Sequence, residues 1–67
     1  MEIEGKLAER VRELRRERGW SQEELADRAG MHRTFISQIE RAVKRTTIRS
    51  VSKLAKAFDV KMGELLD

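Results

Sequence analysis

Apolar residues along the chain recur with the period of an α-helix. At the start, Ile3, Leu7, Val11 and Leu14 follow one another in steps of four, four and three residues, which places them on one face of a helix. Charged residues fill the other faces of this segment, and Gly19 follows it. The pattern therefore predicts a first helix over residues 3–18 that ends at this glycine.

A second helix begins shortly after the first. Ser21 and Glu24 stand three residues apart, which is the spacing of a capping box at the start of a helix. We expect this helix to end near residue 29, because Gly30 supplies a position where a positive φ angle costs little. No longer loop separates it from the next helical segment.

The rest of the chain predicts three further helices. The third covers residue 32 or 33 to residue 41, and Thr47 is a suitable N-cap for the fourth. The inward stripe of the fourth helix consists of Ile48, Val51, Leu54, Ala55 and Phe58. A short fifth helix follows over residues 61–67. We therefore predict an all-α fold in which five helices surround one core.

Length and composition exclude several classes of protein. A chain of 67 residues makes one domain, which is too small for a deep catalytic cleft beside its core. Without cysteine and with His32 as its single histidine, the chain is expected to have no metal site. We also expect no cofactor and no small-molecule ligand. No apolar run could span a membrane or serve as a signal peptide. We therefore expect a cytoplasmic binding domain and not an enzyme.

Charge is distributed unevenly between the two halves of the chain. Residues 1–30 carry seven basic and eight acidic side chains, whereas residues 31–56 carry seven basic side chains and only Glu40 as an acid. A positive surface of this kind favours a polyanionic partner, of which nucleic acid is the commonest in a cytoplasm. A solvated basic face with no partner is the alternative interpretation.

The second and third predicted helices have the spacing of a helix-turn-helix unit, about residues 22–41. Counting from Gln22, small or branched residues fall at the fifth, ninth, fifteenth and eighteenth places: Ala26, Gly30, Ile36 and Ile39. The short turn leaves no slack for the chain to reverse, so the two helices must cross steeply. The second helix of such a unit fits the major groove of DNA.

The chain resembles the phage-repressor-type helix-turn-helix family, also called the XRE or Cro/C1 type, in three stretches: SQEELADRAG, RTFISQIERA and KLAKAFDVKMGELL. The resemblance covers residues 7–66. It implies a five-helix domain like that of lambda repressor, which binds double-stranded operator DNA as a homodimer. Within the family, HRTFISQIERAVKRTTIRS is most similar to controller proteins of restriction–modification systems, although RTT stands where many members have Asn-Pro-Ser.

The start of the third helix is the part that meets base edges when such a helix lies in the groove. Arginine can bond guanine O6 and N7, glutamine can pair with adenine N6 and N7, and threonine offers a hydroxyl and a methyl group. We predict base contacts from four residues: Arg33, Thr34, Ser37 and Gln38.

Seven further residues are predicted to contact the DNA backbone: Gln22, His32, Phe35, Arg41, Lys44, Arg45 and Arg49. Gln22 matches a phosphate-binding position of the family, at the start of a helix with free N–H groups. His32 stands where the family often has a Ser or Asp N-cap; imidazole caps less well, so it is expected to touch a phosphate instead. Phe35 stands where many members of the family have tyrosine. Its side chain either packs half-buried beside Ile36 or contacts a thymine methyl group.

The resemblance also pairs Arg15 on the first helix with Glu40 on the third. Such a pair would fix the third helix against the first, and the loss of one member would strand a partly buried charge.

A two-fold interface is expected near the end of the chain. The fifth helix is too short to bury all its apolar residues, which leaves a surface for a second copy. The predicted interface consists of Ile48, Val51, Phe58, Met62, Leu65 and Leu66. On this interpretation, Leu65→Glu yields a folded monomer.

Two other functions stay open on the same fold: an antitoxin-like or other protein-interaction module, and a plain phage or plasmid repressor. RNA polymerase is a further candidate partner. The candidate residues for that contact are the acids of the second helix, Glu23, Glu24 and Asp27.

Overall fold

Five α-helices make up the fold in a computed structural model that describes residues 3–43 and 46–66. They are α1 (Ile3–Glu17), α2 (Gln22–Ala29), α3 (Arg33–Glu40), α4 (Ile48–Phe58) and α5 (Met62–Leu66). These residues form no strand, which confirms the predicted all-α class. None of their helices is both long enough and apolar enough to cross a membrane. Lys44 and Arg45, two of the predicted backbone contacts, lie outside the described residues.

Helices α1 to α4 all end in a Schellman motif. In each, one residue adopts a left-handed conformation, its N–H bonds to the carbonyl three residues back, and the next N–H bonds five residues back. The left-handed residues are Gly19 (φ 69°), Gly30 (φ 65°), Ala42 (φ 56°) and Asp59 (φ 59°). Because these motifs close each helix within two residues, the connections stay short, and α2 turns into α3 directly after Gly30.

Side chains cap the starts of α2, α3 and α4. Ser21 Oγ accepts the Glu24 N–H at 3.0 Å, and Thr47 Oγ1 accepts the Ser50 N–H at 3.1 Å. The predicted capping box of α2 forms only in part, because the Glu24 carboxylate pairs with Arg28 at 2.7 Å. His32, which was not expected to cap α3, does so.

Apolar side chains from all five helices meet in one core. Helix α3 packs against α1 and α2, while α5 packs against both α1 and α4. The core residues are Leu7, Val11, Leu25, Ala26, Ala29, Ile36, Ile39, Val51, Leu54, Ala55, Phe58 and Leu65. Helix α3 is thus anchored through Ile36 and Ile39, which leaves its opposite face turned away from the core.

This packing corrects half of the predicted two-fold interface. Val51, Phe58 and Leu65 are at most 3% exposed, because α5 covers the core against α1 and α4 of its own chain. They have no area to offer a second copy, so Leu65→Glu should disrupt the fold and not yield a folded monomer. Apolar surface remains on the other three predicted members: Ile48, Met62 and Leu66.

An aromatic stack joins the turn after α1 to the end of α4. The rings of Trp20 and Phe58 lie 5.7 Å apart and nearly parallel. The Arg28 guanidinium lies 4.3 Å from the centre of the Trp20 ring, within range of a cation–π interaction. Arg18 Nη2 donates to the Phe58 carbonyl oxygen at 2.7 Å, so the turn is tied to α4 by polar contacts as well.

Candidate nucleic-acid interface

The outer face of α3 carries the four residues predicted to contact bases. Arg33 and Thr34 are exposed, and Ser37 and Gln38 are partly exposed. Residues four apart on a helix lie one above the other, so Arg33 stands in line with Ser37 and Thr34 in line with Gln38. The four side chains form two adjacent polar rows on the side of α3 that does not pack on the core.

The C-terminal end of α3 is held to α1 by an ion pair. Arg15 Nε lies 2.6 Å from Glu40 Oε2, and Arg15 Nη2 lies 3.0 Å from Glu40 Oε1, which is a bidentate arrangement. Glu40 is 4% exposed and Arg15 14% exposed. The hydrogen bond to Glu40 raises the pKa of Arg15, although burial opposes this, so the guanidinium stays charged throughout the neutral range.

Three further bonds surround this pair, and none of them was predicted from the sequence. Gln22 Nε2 donates to Glu40 Oε1 at 3.1 Å, and Arg12 donates to the Glu40 carbonyl oxygen. Arg15 Nη1 also donates to the Trp20 carbonyl oxygen at 2.9 Å. The three-residue spacing of Arg12 and Arg15 on one face of α1 is the signal that could have indicated a shared partner. Gln22 keeps a second amide N–H besides this bond, and its contact with a phosphate stays a prediction.

The N-terminal end of α3 is set by His32. Its Nδ1 accepts the Thr34 N–H at 3.3 Å. In the neutral imidazole this assigns the proton to Nε2, which is then a hydrogen-bond donor on the far side of the ring. His32 is exposed, so it can cap α3 and donate to a ligand at the same time.

Two of the remaining predicted backbone contacts flank α3 on the surface. Arg41 follows α3 and Arg49 lies in the first turn of α4; both are exposed, and neither forms an ion pair with a described residue. Phe35 is half-buried and packs against the core, as one of its two predicted roles required. Contact of its exposed part with DNA stays a prediction.

Burial of Glu40 increases the positive character of this surface. It is the single acid of residues 31–56, and its carboxylate is already paired with Arg15. It therefore does little to offset the exposed cations of α3, of the turn after it and of the first half of α4, which are Arg33, Arg41, Arg49 and Lys53. The acidic residues of α2 are also exposed: Glu23, Glu24 and Asp27. In residues 3–43 and 46–66, no group of three or more His, Asp and Glu side chains is arranged to hold a metal ion.

Known proteins are similar to this chain in sequence and in the arrangement of their helices. A helix-turn-helix family model, HTH_3, matches residues 11–65. The control protein C.SmaI of Serratia marcescens is 41% identical over 66 residues, which cover 98% of this chain and 79% of that protein.

Solved structures agree in fold. The restriction–modification controller protein C.AhdI from Aeromonas hydrophila superposes with a TM-score of 0.89 at 37% identity, covering 92% of this chain and 94% of that one. SinR, a master regulator for biofilm formation solved in complex with DNA, gives a TM-score of 0.86 at 34% identity, covering 91% and 98%. The chain thus belongs to the HTH_3 helix-turn-helix family of XRE-type DNA-binding transcription regulators.

Proposed function

We propose that this protein regulates transcription as a homodimer on a pseudopalindromic DNA operator, in the cytoplasm, as the controller protein of a restriction–modification system. The observation that carries the proposal is the polar outer face of α3, which belongs to residues 31–56, whose one acid, Glu40, is buried. The controller role is supported by the similarity to C.SmaI and C.AhdI, and the DNA-binding role by the similarity to SinR.

Each helix α3 of the dimer enters one major groove. In this arrangement Arg33 and Gln38 read base edges, while Thr34 and Ser37 contribute hydroxyl groups. Arg41 and Arg49 neutralise phosphates on either side and set affinity more than sequence preference. The two-fold axis places the half-sites about 34 Å apart, one turn of the duplex.

Hydrogen bonds at both ends of α3 hold its outer face in position before DNA binds. His32 fixes the N-terminus, and Glu40 fixes the C-terminus against Arg12 and Arg15 of α1. A misplaced α3 would lose its bidentate base contacts, so we expect these hydrogen bonds to contribute to sequence specificity as well as to stability.

Selection from random duplex DNA tests the proposal. The bound pool is sequenced and the preferred duplex is titrated at several salt concentrations. We expect a symmetric site with half-sites about one helical turn apart, bound with an affinity that falls linearly on a log–log salt plot. Sequences that bind without enrichment and dissociate steeply with salt would indicate phosphate attraction alone and overturn the operator proposal.

Arg33→Ala is the matching variant on the protein side. We expect it to relax the preference at one base pair per half-site and to weaken operator binding by about 10-fold to 100-fold for each half-site. Arg16→Ala is the control, because Arg16 is an exposed arginine on α1 outside the predicted interface. If both variants bind and select as the wild type does, α3 does not read the DNA.

A further inference from the structure

A cleft lies beside the outer face of α3, and one of its lining residues, Lys53, is not among the predicted DNA contacts. Its volume is about 400 Å³. One wall comes from the turn before α3 and from α3 itself, and the other wall comes from α4. The lining residues are Gly30, Met31, His32, Thr34, Phe35, Gln38, Ser50 and Lys53.

The polar groups at this cleft are suited to an anion. None of the lining residues is acidic, and Lys53 supplies a full positive charge. The Lys53 side chain is exposed and forms no ion pair with any residue in 3–43 or 46–66. An unpaired ammonium beside neutral donors favours a phosphate-like ligand over a cation or an apolar one.

Two neutral donors face the same cleft. His32 uses Nδ1 to cap α3, so in its neutral form it offers the Nε2 proton. Ser50 Oγ accepts a hydrogen bond from Thr47 Oγ1 at 3.2 Å, which leaves the Ser50 hydroxyl proton to donate elsewhere. Each wall of the cleft thus carries a donor, and α4 adds the cation.

The cleft is continuous with the predicted reading face. Thr34 and Gln38 belong to the cleft lining and also to the outer face of α3. DNA that lies against these two side chains therefore passes over the mouth of the cleft. Lys53 lines the same cleft, so it lies beside the path of such a strand.

We propose that Lys53 is a further DNA-contacting residue, and that a phosphodiester of the DNA strand lies across the cleft between Lys53 on α4 and His32 before α3. The inference rests on the proposed function, since it takes DNA as the ligand of the α3 face. It extends the interface from the first turn of α4, where Arg49 lies, to the second turn. The contact adds affinity without sequence preference, because phosphates carry no sequence information.

The salt dependence of binding isolates this contact. Each phosphate that a lysine neutralises contributes about 0.9 to the slope of log K against log salt concentration. We expect Lys53→Ala to reduce that slope by about 0.9 for each copy of the protein bound, which is about 1.8 for a dimer, and to weaken binding to operator and random duplexes by the same factor. Lys53→Arg should restore most of the slope, since it keeps the charge.

Lys56→Ala is the matched control. Lys56 is an exposed lysine of α4 three residues further on, and it does not line the cleft. We expect it to leave the slope unchanged. Urea unfolding of both variants should match the wild type, because both side chains are exposed. A wild-type slope in Lys53→Ala, or an equal loss in both variants, overturns the inference.

The outcomes separate this inference from the proposed function. If the wild type selects an operator and Lys53→Ala keeps the full slope, the inference fails and the function stands. If the wild type binds DNA without sequence preference, a reduced slope in Lys53→Ala still supports the phosphate contact while the operator proposal fails. A response of the His32 and Lys53 NMR signals to inorganic phosphate, with DNA binding unaffected by Lys53→Ala, would assign the cleft to a small anion instead and overturn the inference.

Discussion

Glu40 connects the stability of the domain to the orientation of α3. Its carboxylate accepts bonds from Arg15 and Gln22, and its carbonyl oxygen accepts one from Arg12. Glu40→Ala would leave the Arg15 guanidinium, 14% exposed, without its partner. We expect the free energy of unfolding to fall by about 3 kcal/mol, as measured by urea titration.

Glu13→Ala is the control for this prediction. Glu13 pairs with Arg10 at 3.2 Å, but both side chains are about half exposed, so the pair should contribute less than about 1 kcal/mol. Equal losses in the two variants would show that burial of Glu40 has no special energetic role.

Since the pKa of Arg15 is raised in the folded state, the contribution of this pair to stability is complete below the unfolded pKa. It is lost only as the pH rises through the folded pKa, far into the alkaline range.

The bonds around Glu40 also show what sequence can predict at the residue scale. The Arg15–Glu40 pair was available only through resemblance, because the two residues are 25 positions apart. The bonds from Arg12 and Gln22 to Glu40 were not predicted, because each joins residues of two different helices. Local patterns fix the face that a residue occupies, whereas its partner depends on how the helices pack.

At the scale of the helix, local signals located every element. The N-caps Ser21 and Thr47 and the glycine at position 30 were all predicted and are all present. His32 was misjudged, because its imidazole accepts the Thr34 N–H in place of the expected Ser or Asp oxygen. No glycine marks the end of α3 in the sequence, because Ala42 occupies the left-handed position that glycine usually fills.

Ala42 should therefore be a site where glycine stabilises the protein. A left-handed conformation costs an L-residue roughly 1–2 kcal/mol. Glycine avoids that strain, but it also raises the conformational entropy of the unfolded chain, which cancels part of the gain in stability. We expect Ala42→Gly to raise the free energy of unfolding by about 0.5 kcal/mol, as measured by urea titration.

Gly30→Ala is the reverse experiment at the end of α2. Gly30 has φ 65°, and a Cβ atom added there would meet nothing within 4 Å. The substitution is therefore sterically open, and its cost is conformational alone. We expect a loss of about 1 kcal/mol. A stabilising Gly30→Ala, or a destabilising Ala42→Gly, would show that backbone conformation does not control these two helix ends.

At the scale of the whole molecule, the sequence predicted which faces are apolar but not what covers them. The sequence places Leu65 in a dimer interface because a fifth helix as short as residues 61–67 cannot bury its apolar residues by itself, and it adds Val51 and Phe58 from the apolar stripe of the fourth helix. In the structure α5 packs on α1 and α4 of the same chain, and these side chains complete the core. Which neighbour a short amphipathic helix finds depends on the turns and on packing, and periodicity carries no information about that choice.

The homodimer proposal must therefore depend on the apolar surface that the core leaves uncovered, and Ile48 is its most exposed member at 70%. Across a two-fold axis the residue is used twice, so Ile48→Glu removes two apolar contacts and adds two like charges. We expect dimerisation to weaken at least about 100-fold, because each buried isoleucine is worth about 1.5–3 kcal/mol. Sedimentation equilibrium across a concentration series measures the change.

We expect Ile48→Glu to fold, because residue 48 is the first residue of α4. A carboxylate at this end of a helix interacts favourably with the helix dipole, and the first turn of α4 has no acidic residue of its own. Val43→Glu is the matched control: Val43 is 60% exposed and lies outside the predicted interface. We expect it to remain a dimer. A folded Ile48→Glu monomer with weakened operator binding would establish that the two α3 helices act together. An Ile48→Glu variant that dimerises as the wild type does would exclude this surface, and the two recognition helices would then have to be joined through another part of the chain.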